Sequence, residues 1–226
     1  MTQTALAAAA AGATVLLAMT LGPDTPGAFD RAVRRSAQSP RTARLKPLLA
    51  PLFPLGLPIT YMTAAYFGAR WLRARDRRGG PAIMSSALLA WSTHRLATLA
   101  HPRERPRRPL VKRRTDSYPS GHTTGITAVS LTTAYVLKRQ RLISVQRALA
   151  IAAAPPAVMG VYRVLADAHW ATDVFGGWLL GGAVALGCNA ILADSIADAP
   201  PVATAPVSST PRPSRRVHRE RVMSEG

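Results

Sequence analysis

The sequence predicts an all-helical membrane protein, a bundle of about six transmembrane helices. Charged residues make up only 18% of its 226 residues, against about a quarter in soluble domains. They fall in short runs between long uncharged stretches, and stretches of about 20 apolar residues can cross a hydrocarbon core of about 30 Å as helices. No segment alternates apolar and polar residues as the strands of a membrane barrel do.

The predicted spans cover residues 5–22, 47–69, 79–100, 117–137, 142–162 and 174–193. Residues 1–25 hold the first span, which lacks the basic start of a signal peptide and is therefore expected to be retained. Prolines 51, 54 and 58 predict that the second helix is kinked or starts late. The third span is interrupted by His94 and Arg95.

Residues 26–195 contain the other five spans and form the predicted core. Residues 196–226 are rich in Pro, Ser, Ala and Arg, a composition that cannot bury a core, and are predicted to be disordered. The five arginines of this tail, at 212, 215, 216, 219 and 221, either contact anionic headgroups or stay solvated. The single cysteine, Cys188, excludes an internal disulfide.

The charge balance is strongly basic, with 29 Lys and Arg against 11 Asp and Glu, a net charge of +18. In a multi-pass membrane protein this excess favours membrane lipids and a phosphorylated lipid as partners, and not nucleic acid. Lys and Arg are nearly balanced between the two sides of the membrane, so they alone do not set the orientation. If the third loop is basic because it binds phosphate, both termini lie in the cytoplasm.

Three polar clusters flank the predicted spans, at residues 103–109, 118–122 and 163–173. Polar residues beside or inside a membrane are costly, so each cluster is a candidate functional site. Six alternating spans place the loops that hold them on the same side. We therefore expect the clusters to meet, on the extracytoplasmic side of the cell membrane in the favoured orientation.

The second and third clusters have spacings suited to phosphate chemistry. Ser120 and Gly121 precede an apolar run, so Ser120 is a candidate N-cap, and free amides of a first helical turn attract anions. His122 follows directly. His169 and Asp173 are four residues apart, so on one helix the carboxylate could accept a hydrogen bond from the imidazole and leave the other nitrogen to attack.

Arg163 ends the fifth span, and its guanidinium could bind phosphate oxygens or anchor the helix at the headgroups. Arginines of the first cluster are the least specific signal, because an arginine run beside a membrane is often a lipid-facing loop.

Together the motifs Arg105-Pro106, Pro-Ser-Gly-His at 119–122, and Arg163, His169 and Asp173 resemble the type 2 phosphatidic acid phosphatase (PAP2) family, lipid phosphatases related to vanadium haloperoxidases. The resemblance covers residues 30–193. It implies hydrolysis of a lipid phosphomonoester or pyrophosphate, of the phosphatidic acid or polyprenyl phosphate type. It also implies that no cofactor or metal is needed, because arginines supply the positive charge.

Position by position, the resemblance makes His169 the nucleophile that forms a phosphohistidine. Asp173 would orient it, and His122 would be the general acid and later the base. The phosphate-binding residues would be Arg105 and Arg163, with the backbone amides of Ser120 and Gly121.

Two positions depart from the family's pattern. The family has a lysine seven residues before the arginine of its first motif, and here that position is Thr98 counted from Arg105, or His101 counted from Arg108. Arg95, about one helical turn before Thr98, is the predicted substitute and so a further phosphate-binding candidate. Tyr162 stands where the family usually has Ser or Thr before Arg163.

The sequence leaves two alternatives to the phosphatase open. A lipid phosphotransferase would use the same catalytic residues and pass the phosphoryl group to another acceptor. A non-catalytic membrane protein that binds lipid phosphate would need the cations but not a nucleophile with an orienting carboxylate. A vanadium haloperoxidase is disfavoured because spans lie on both sides of each motif. The oligomeric state is not predicted.

Overall fold

A computed structural model describes residues 2–23, 25–106 and 117–197. These residues form helices and no strands, which confirms the all-helical class. The helices are α1 (Gln3–Thr20), α2 (Ala28–Ala37), α3 (Pro40–Ala43), α4 (Lys46–Leu49), α5 (Pro58–Arg73), α6 (Gly80–Ala100), α7 (Gly121–Arg139), α8 (Val145–Leu165) and α9 (Ala171–Ala197). A 3-10 helix, Ala50–Gly56, precedes α5.

Five of the predicted spans each overlap one long helix, and the second, at residues 47–69, covers α4, the 3-10 helix and most of α5. By length and hydropathy, three helices of the described segments can cross a membrane, namely α1, α8 and residues 171–192 of α9. A fourth span results if the pair Pro40–Gly56 and Pro58–Arg73, bent by 60°, counts as one. The protein is therefore a membrane protein with at least three candidate spans, and the count of six remains a prediction.

The second predicted span starts late, as its prolines indicate. The 3-10 helix contains Pro54, and α5 begins only at Pro58, so residues 47–57 do not continue the long helix. Proline has no N–H to donate and is tolerated in the first turn of a helix, which explains why α5 begins there.

Helix α7 lies at the centre of the bundle, packed against α6, α8 and α9. Its hydroxyl side chains, including Thr123, Thr124 and Thr132, are fully buried against these neighbours. A helix enclosed by other helices does not need an apolar surface toward lipid, and small polar residues can bond within it. This explains why the mean hydropathy of α7 is lower than that of the three candidate spans.

Two glycines of α9 allow its backbone to touch the backbone of α7. A Cβ on Gly177 would lie 2.8 Å from the carbonyl oxygen of Ser120, and one on Gly181 would lie 2.6 Å from that of Thr124. Glycines four residues apart face the same side of a helix, so they form a stripe along which a second helix can approach closely. The N-terminal ends of α7 and α9 are thereby fixed side by side.

The segment between the first two spans contains α2, which the sequence did not indicate. Arg34 of α2 donates from Nε and Nη2 to the two carboxylate oxygens of Asp167, at 2.7 and 2.8 Å. Because Asp167 lies just before His169 in the loop after α8, this bidentate pair holds α2 beside the third polar cluster. The predicted disordered tail, apart from the end of α9, lies outside the described residues, as do Arg107, Arg108 and Pro109.

Candidate active site

His169 lies in the loop between α8 and α9, with only 2% of its surface exposed. Its Nδ1 is 2.9 Å from the carbonyl oxygen of Ser117. A carbonyl only accepts, so Nδ1 carries the proton and Nε2 keeps its lone pair. Burial, and then the positive charges of Arg105 and Arg163, hold the pKa of His169 well below its ordinary value. The imidazole is therefore neutral and nucleophilic at Nε2.

Arg105 lies directly in front of this nitrogen. Its Nη1 donates to Nε2 of His169 at 3.1 Å and to the carbonyl oxygen of Ala168 at 2.9 Å. A guanidinium held at this distance can bind an oxygen of a phosphoryl group as that group meets Nε2. The structure thus places Arg105 beside the predicted nucleophile.

Asp173 does not accept the hydrogen bond that the sequence suggested. The closest distance from its carboxylate to Nδ1 of His169 is 3.6 Å. The carboxylate instead accepts from the hydroxyl of Ser117, from the N–H of Trp170 at 2.8 Å and from Nη1 of Arg103 at 2.5 Å. Since α9 begins at Ala171, His169 precedes the helix and does not share a helical face with Asp173.

The orienting effect of Asp173 on His169 is therefore indirect. Its carboxylate accepts a hydrogen bond from the hydroxyl of Ser117. The backbone carbonyl oxygen of Ser117 in turn accepts a hydrogen bond from Nδ1 of His169. Asp173 is a positioning residue in this arrangement.

A buried ion-pair network that sequence reasoning missed supports this loop. Arg103 is 2% exposed and bonds Asp30 of α2 at 2.7 Å, the hydroxyl of Thr172 at 2.8 Å and the carboxylate of Asp173. Asp30 also accepts from the N–H of Thr172 at 3.0 Å. One sequence signal was available, because Asp30 is the only acidic residue among six cations between residues 27 and 46.

His122 and Arg163 meet at the ring of Phe53. The guanidinium carbon of Arg163 lies 5.6 Å from the centroid of this ring, and the imidazole of His122 lies 5.2 Å from it. Nε2 of His122 and Nε of Arg163 are both buried without a hydrogen-bond partner among the described residues. An unsatisfied buried polar atom costs about 1–3 kcal/mol, so a polar ligand that bonds these two nitrogens would stabilise the site.

Ser120 occupies the N-cap position of α7, but its groups are already engaged. Its N–H donates to the carbonyl oxygen of Asp173 at 2.9 Å, and its hydroxyl accepts from Thr123 at 3.0 Å. The amide of Ser120, a predicted phosphate-binding group, is therefore not free to bind phosphate in this structure. The first intrahelical bond runs from Thr124 to Ser120, so the amides of the first turn, starting at Gly121, have no partner within the helix and are the candidate anion-binding groups.

Arg95 does not face this site. Its side chain is exposed and makes no hydrogen bond or ion pair with the residues that the structure describes. The residue before it, His94, lies toward the site, because a Cβ on Gly121 would come 2.5 Å from its Nε2. Nδ1 of His94 is 3.5 Å from the hydroxyl of Thr98. The helix therefore presents His94 where Arg95 was expected.

Sequence reasoning could have found His94 by its spacing. It precedes Thr98 by four residues, and residues at this spacing share a helix face. Tyr162, the second departure, is buried with its ring 6.3 Å from that of Phe53. It packs in the apolar cluster behind Arg163.

In residues 2–23, 25–106 and 117–197, no group of three or more His, Cys, Asp or Glu side chains is arranged to hold a metal ion. Guanidinium groups are the cations that this part of the chain brings to the site.

The fold and the site define a helical membrane protein with a buried neutral histidine facing arginines and a helix N-terminus. The chain belongs to the PAP2 superfamily, whose family model matches residues 5–197. Its fold is similar to that of a transmembrane PAP2-type phosphatidylglycerolphosphate phosphatase from Bacillus subtilis, with a TM-score of 0.64 and 22% identity over 84% of this chain and 96% of that chain. No curated protein sequence matches significantly.

Proposed function

We propose that the protein is a lipid phosphatase that removes a phosphoryl group from a lipid phosphomonoester or pyrophosphate through a phosphohistidine on His169. The observation that carries the proposal is the lone pair of His169 Nε2, held 3.1 Å from Arg105. The unsatisfied nitrogens of His122 and Arg163 support it. Superfamily membership and the shared fold agree with a substrate taken from the membrane.

The reaction would proceed in two displacements. Nε2 of His169 attacks phosphorus while the bond from phosphorus to the leaving oxygen breaks, and His122 donates its proton to that oxygen. His122 then takes a proton from water, the water oxygen attacks phosphorus, and the bond from phosphorus to nitrogen breaks. Inorganic phosphate leaves, and His169 regains its lone pair.

Arg105 and Arg163 would neutralise the negative charge on the phosphoryl oxygens in both displacements. Nδ1 of His169 becomes part of a charged ring in the phosphohistidine, and its bond to the carbonyl of Ser117 then stabilises that charge. The permanent positive charges in the scheme are guanidinium groups, and it needs no metal or cofactor.

A phosphatase assay tests the proposal. Purified protein in neutral detergent would be given phosphatidic acid, phosphatidylglycerol phosphate and a polyprenyl diphosphate, with EDTA present, and phosphate release measured. Release should persist with EDTA, disappear in His169→Ala and survive in His218→Ala, a histidine replacement in the predicted tail. Acid-labile, base-stable phosphate on the protein during turnover would identify the phosphohistidine. If phosphate release survives His169→Ala, the proposed nucleophile is wrong.

The phosphotransferase alternative uses the same intermediate. Adding an acceptor lipid with a free hydroxyl separates the two functions, because a transferase would form a new lipid phosphate at the expense of inorganic phosphate. Phosphate release that continues unchanged in the presence of acceptors supports the hydrolase. A protein that binds these lipids without turnover would be the non-catalytic alternative.

For its location we propose the cell membrane, with the active site on the outer face and both termini in the cytoplasm. The support is that the loops before α7 and after α8 meet at one end of the bundle, joined by the bond between Ser117 and His169. A reporter enzyme active only outside the cytoplasm, fused after residue 141, should be inactive. The same reporter fused after residue 166 should be active, and the reverse result would invert the topology.

A further inference from the structure

A cavity of about 810 Å³ is lined in part by Arg105, whose guanidinium also contacts His169. Its charged lining consists of five arginines and two carboxylates, of which Asp167 is already paired with Arg34: Arg31, Arg34, Arg35, Arg103, Arg105, Glu104 and Asp167. The volume is within the usual range of small-molecule sites, roughly 300–1,000 Å³. The cavity and the reaction centre share Arg105.

Helix α2 is fixed rigidly against this cavity. Arg34 is engaged by the two carboxylate oxygens of Asp167, and buried Asp30 is engaged by Arg103 and Thr172. Because these bonds reach residues on either side of His169, α2 cannot move without disturbing the catalytic loop. The arginines that α2 presents to the cavity are therefore preorganised.

Two of these arginines are not neutralised by the structure. Arg31 and Arg35 are four residues apart on one face of α2 and form no ion pair with a carboxylate of the described residues. Nη1 of Arg31 donates to the carbonyl of Pro26 at 2.5 Å. Like charges at this spacing repel each other, and an anion between them would convert the repulsion into two attractions.

The phosphoryl group that reacts must lie at Nε2 of His169, so it cannot fill this cavity as well. We propose that the cavity is a subsite for a second anionic group of the same substrate. Preferred substrates would then be lipids whose headgroup carries a phosphodiester or second phosphate besides the phosphoryl group that is removed. The inference rests on the proposed function and names the substrate class for that site.

The test compares two lipids with the same acyl chains in a neutral detergent. Phosphatidic acid has one phosphate, and phosphatidylglycerol phosphate has a phosphodiester in addition to its terminal phosphate. Wild type should have a kcat/KM at least 10-fold higher for the second lipid. Arg31→Gln/Arg35→Gln should abolish this preference by raising KM for that lipid, and change kcat/KM for phosphatidic acid by less than 3-fold.

Arg73→Gln/Arg77→Gln is the matched control, because it removes two exposed arginines next to the loop after α5 and leaves the cavity intact. It should keep the preference. Arg35→Gln alone serves if the double variant does not fold, since Arg35 makes no hydrogen bond with the described residues and its loss leaves α2 docked. It should lower the preference at least 3-fold.

Three results would overturn the subsite. One is an unchanged preference in both cavity variants. The second is an equal loss on both lipids. The third concerns phosphatidic acid as substrate: its rate of hydrolysis depends on added phosphatidylglycerol in wild type but not in Arg31→Gln/Arg35→Gln. That result would mean that the cavity binds a neighbouring membrane lipid. Failure of the proposed function is distinct, because wild type would then release phosphate from neither lipid.

Discussion

The imidazole of His94 lies against the backbone of Gly121, so closely that a Cβ on Gly121 would come 2.5 Å from Nε2 of the histidine. Gly121 begins the helix whose first-turn amides are the candidate anion-binding groups. The absence of a side chain there brings a third histidine, after His122 and His169, to the edge of the site. Gly121 is thus required for the close approach of another side chain.

Replacing Gly121 with alanine should displace His94 and lower kcat/KM by about 10- to 100-fold, because small misplacements of catalytic groups have effects of this size. Gly187→Ala is the matched control, since a Cβ there meets nothing within 4 Å. In α9 that change should leave activity intact and raise stability by up to about 1 kcal/mol. Phosphate release measures the activity of each variant, and thermal unfolding in detergent measures its stability. Equal activity of the two variants would show that His94 needs no such space.

His94→Ala should raise KM more than it lowers kcat, because it removes a group at the proposed phosphate-binding turn and leaves His169, the proposed nucleophile, in place. We expect a loss in kcat/KM of about 10-fold or more, the equivalent of one hydrogen bond to a charged group. Arg95→Ala should change kcat/KM by less than 2-fold, since that side chain is exposed away from the site. A larger effect at Arg95 than at His94 would restore the sequence-based prediction.

Asp30→Ala should destabilise the protein although Asp30 is far from the proposed chemistry in sequence. It leaves the guanidinium of Arg103 with one buried carboxylate instead of two. Breaking a buried ion pair costs about 3–5 kcal/mol. Thermal unfolding in detergent should show a markedly lower Tm, and Asp76→Ala, an exposed aspartate in the loop after α5, should not. An unchanged Tm for Asp30→Ala would refute the network's structural role.

The acid limb of the pH profile should move when Arg105 is replaced. The charge of Arg105 helps to lower the pKa of His169, and only the neutral imidazole attacks. Arg105→Gln removes that charge, so the pKa of His169 rises, the ring protonates at higher pH, and kcat/KM falls off at higher pH than in wild type. The measurement is the pH at the midpoint of the acid limb of the kcat/KM profile. Loss of phosphate binding alone would lower kcat/KM at every pH without moving that midpoint. A limb that does not move would mean that another group sets it.

The long helices could be predicted from sequence because a run of about 20 uncharged residues is a local signal. Helix α2 is short, and its docking depends on the pairs between Arg34 and Asp167 and between Asp30 and Arg103, which join residues 133 and 73 positions apart. No local pattern encodes such partners.

The site was predictable at the positions that short motifs fix, and His169, His122, Arg105 and Arg163 do come together. Contacts that depend on where a helix begins could not be predicted from the sequence. Because α9 starts at Ala171, Asp173 bonds Ser117 and Arg103 in place of the imidazole, and its carbonyl engages the amide of Ser120.

The glycine stripe of α9 bears on how the enzyme responds to bilayers of different thickness. Membrane helices tilt to match the hydrocarbon around them. With Gly177 and Gly181 against the backbone of α7, we expect α7 and α9 to tilt together. His122, the proposed acid on the first turn of α7, then keeps its distance from His169, the proposed nucleophile that precedes α9. Catalytic geometry is thereby insulated from lipid chain length, while delivery of substrate to the cavity still depends on the surrounding membrane.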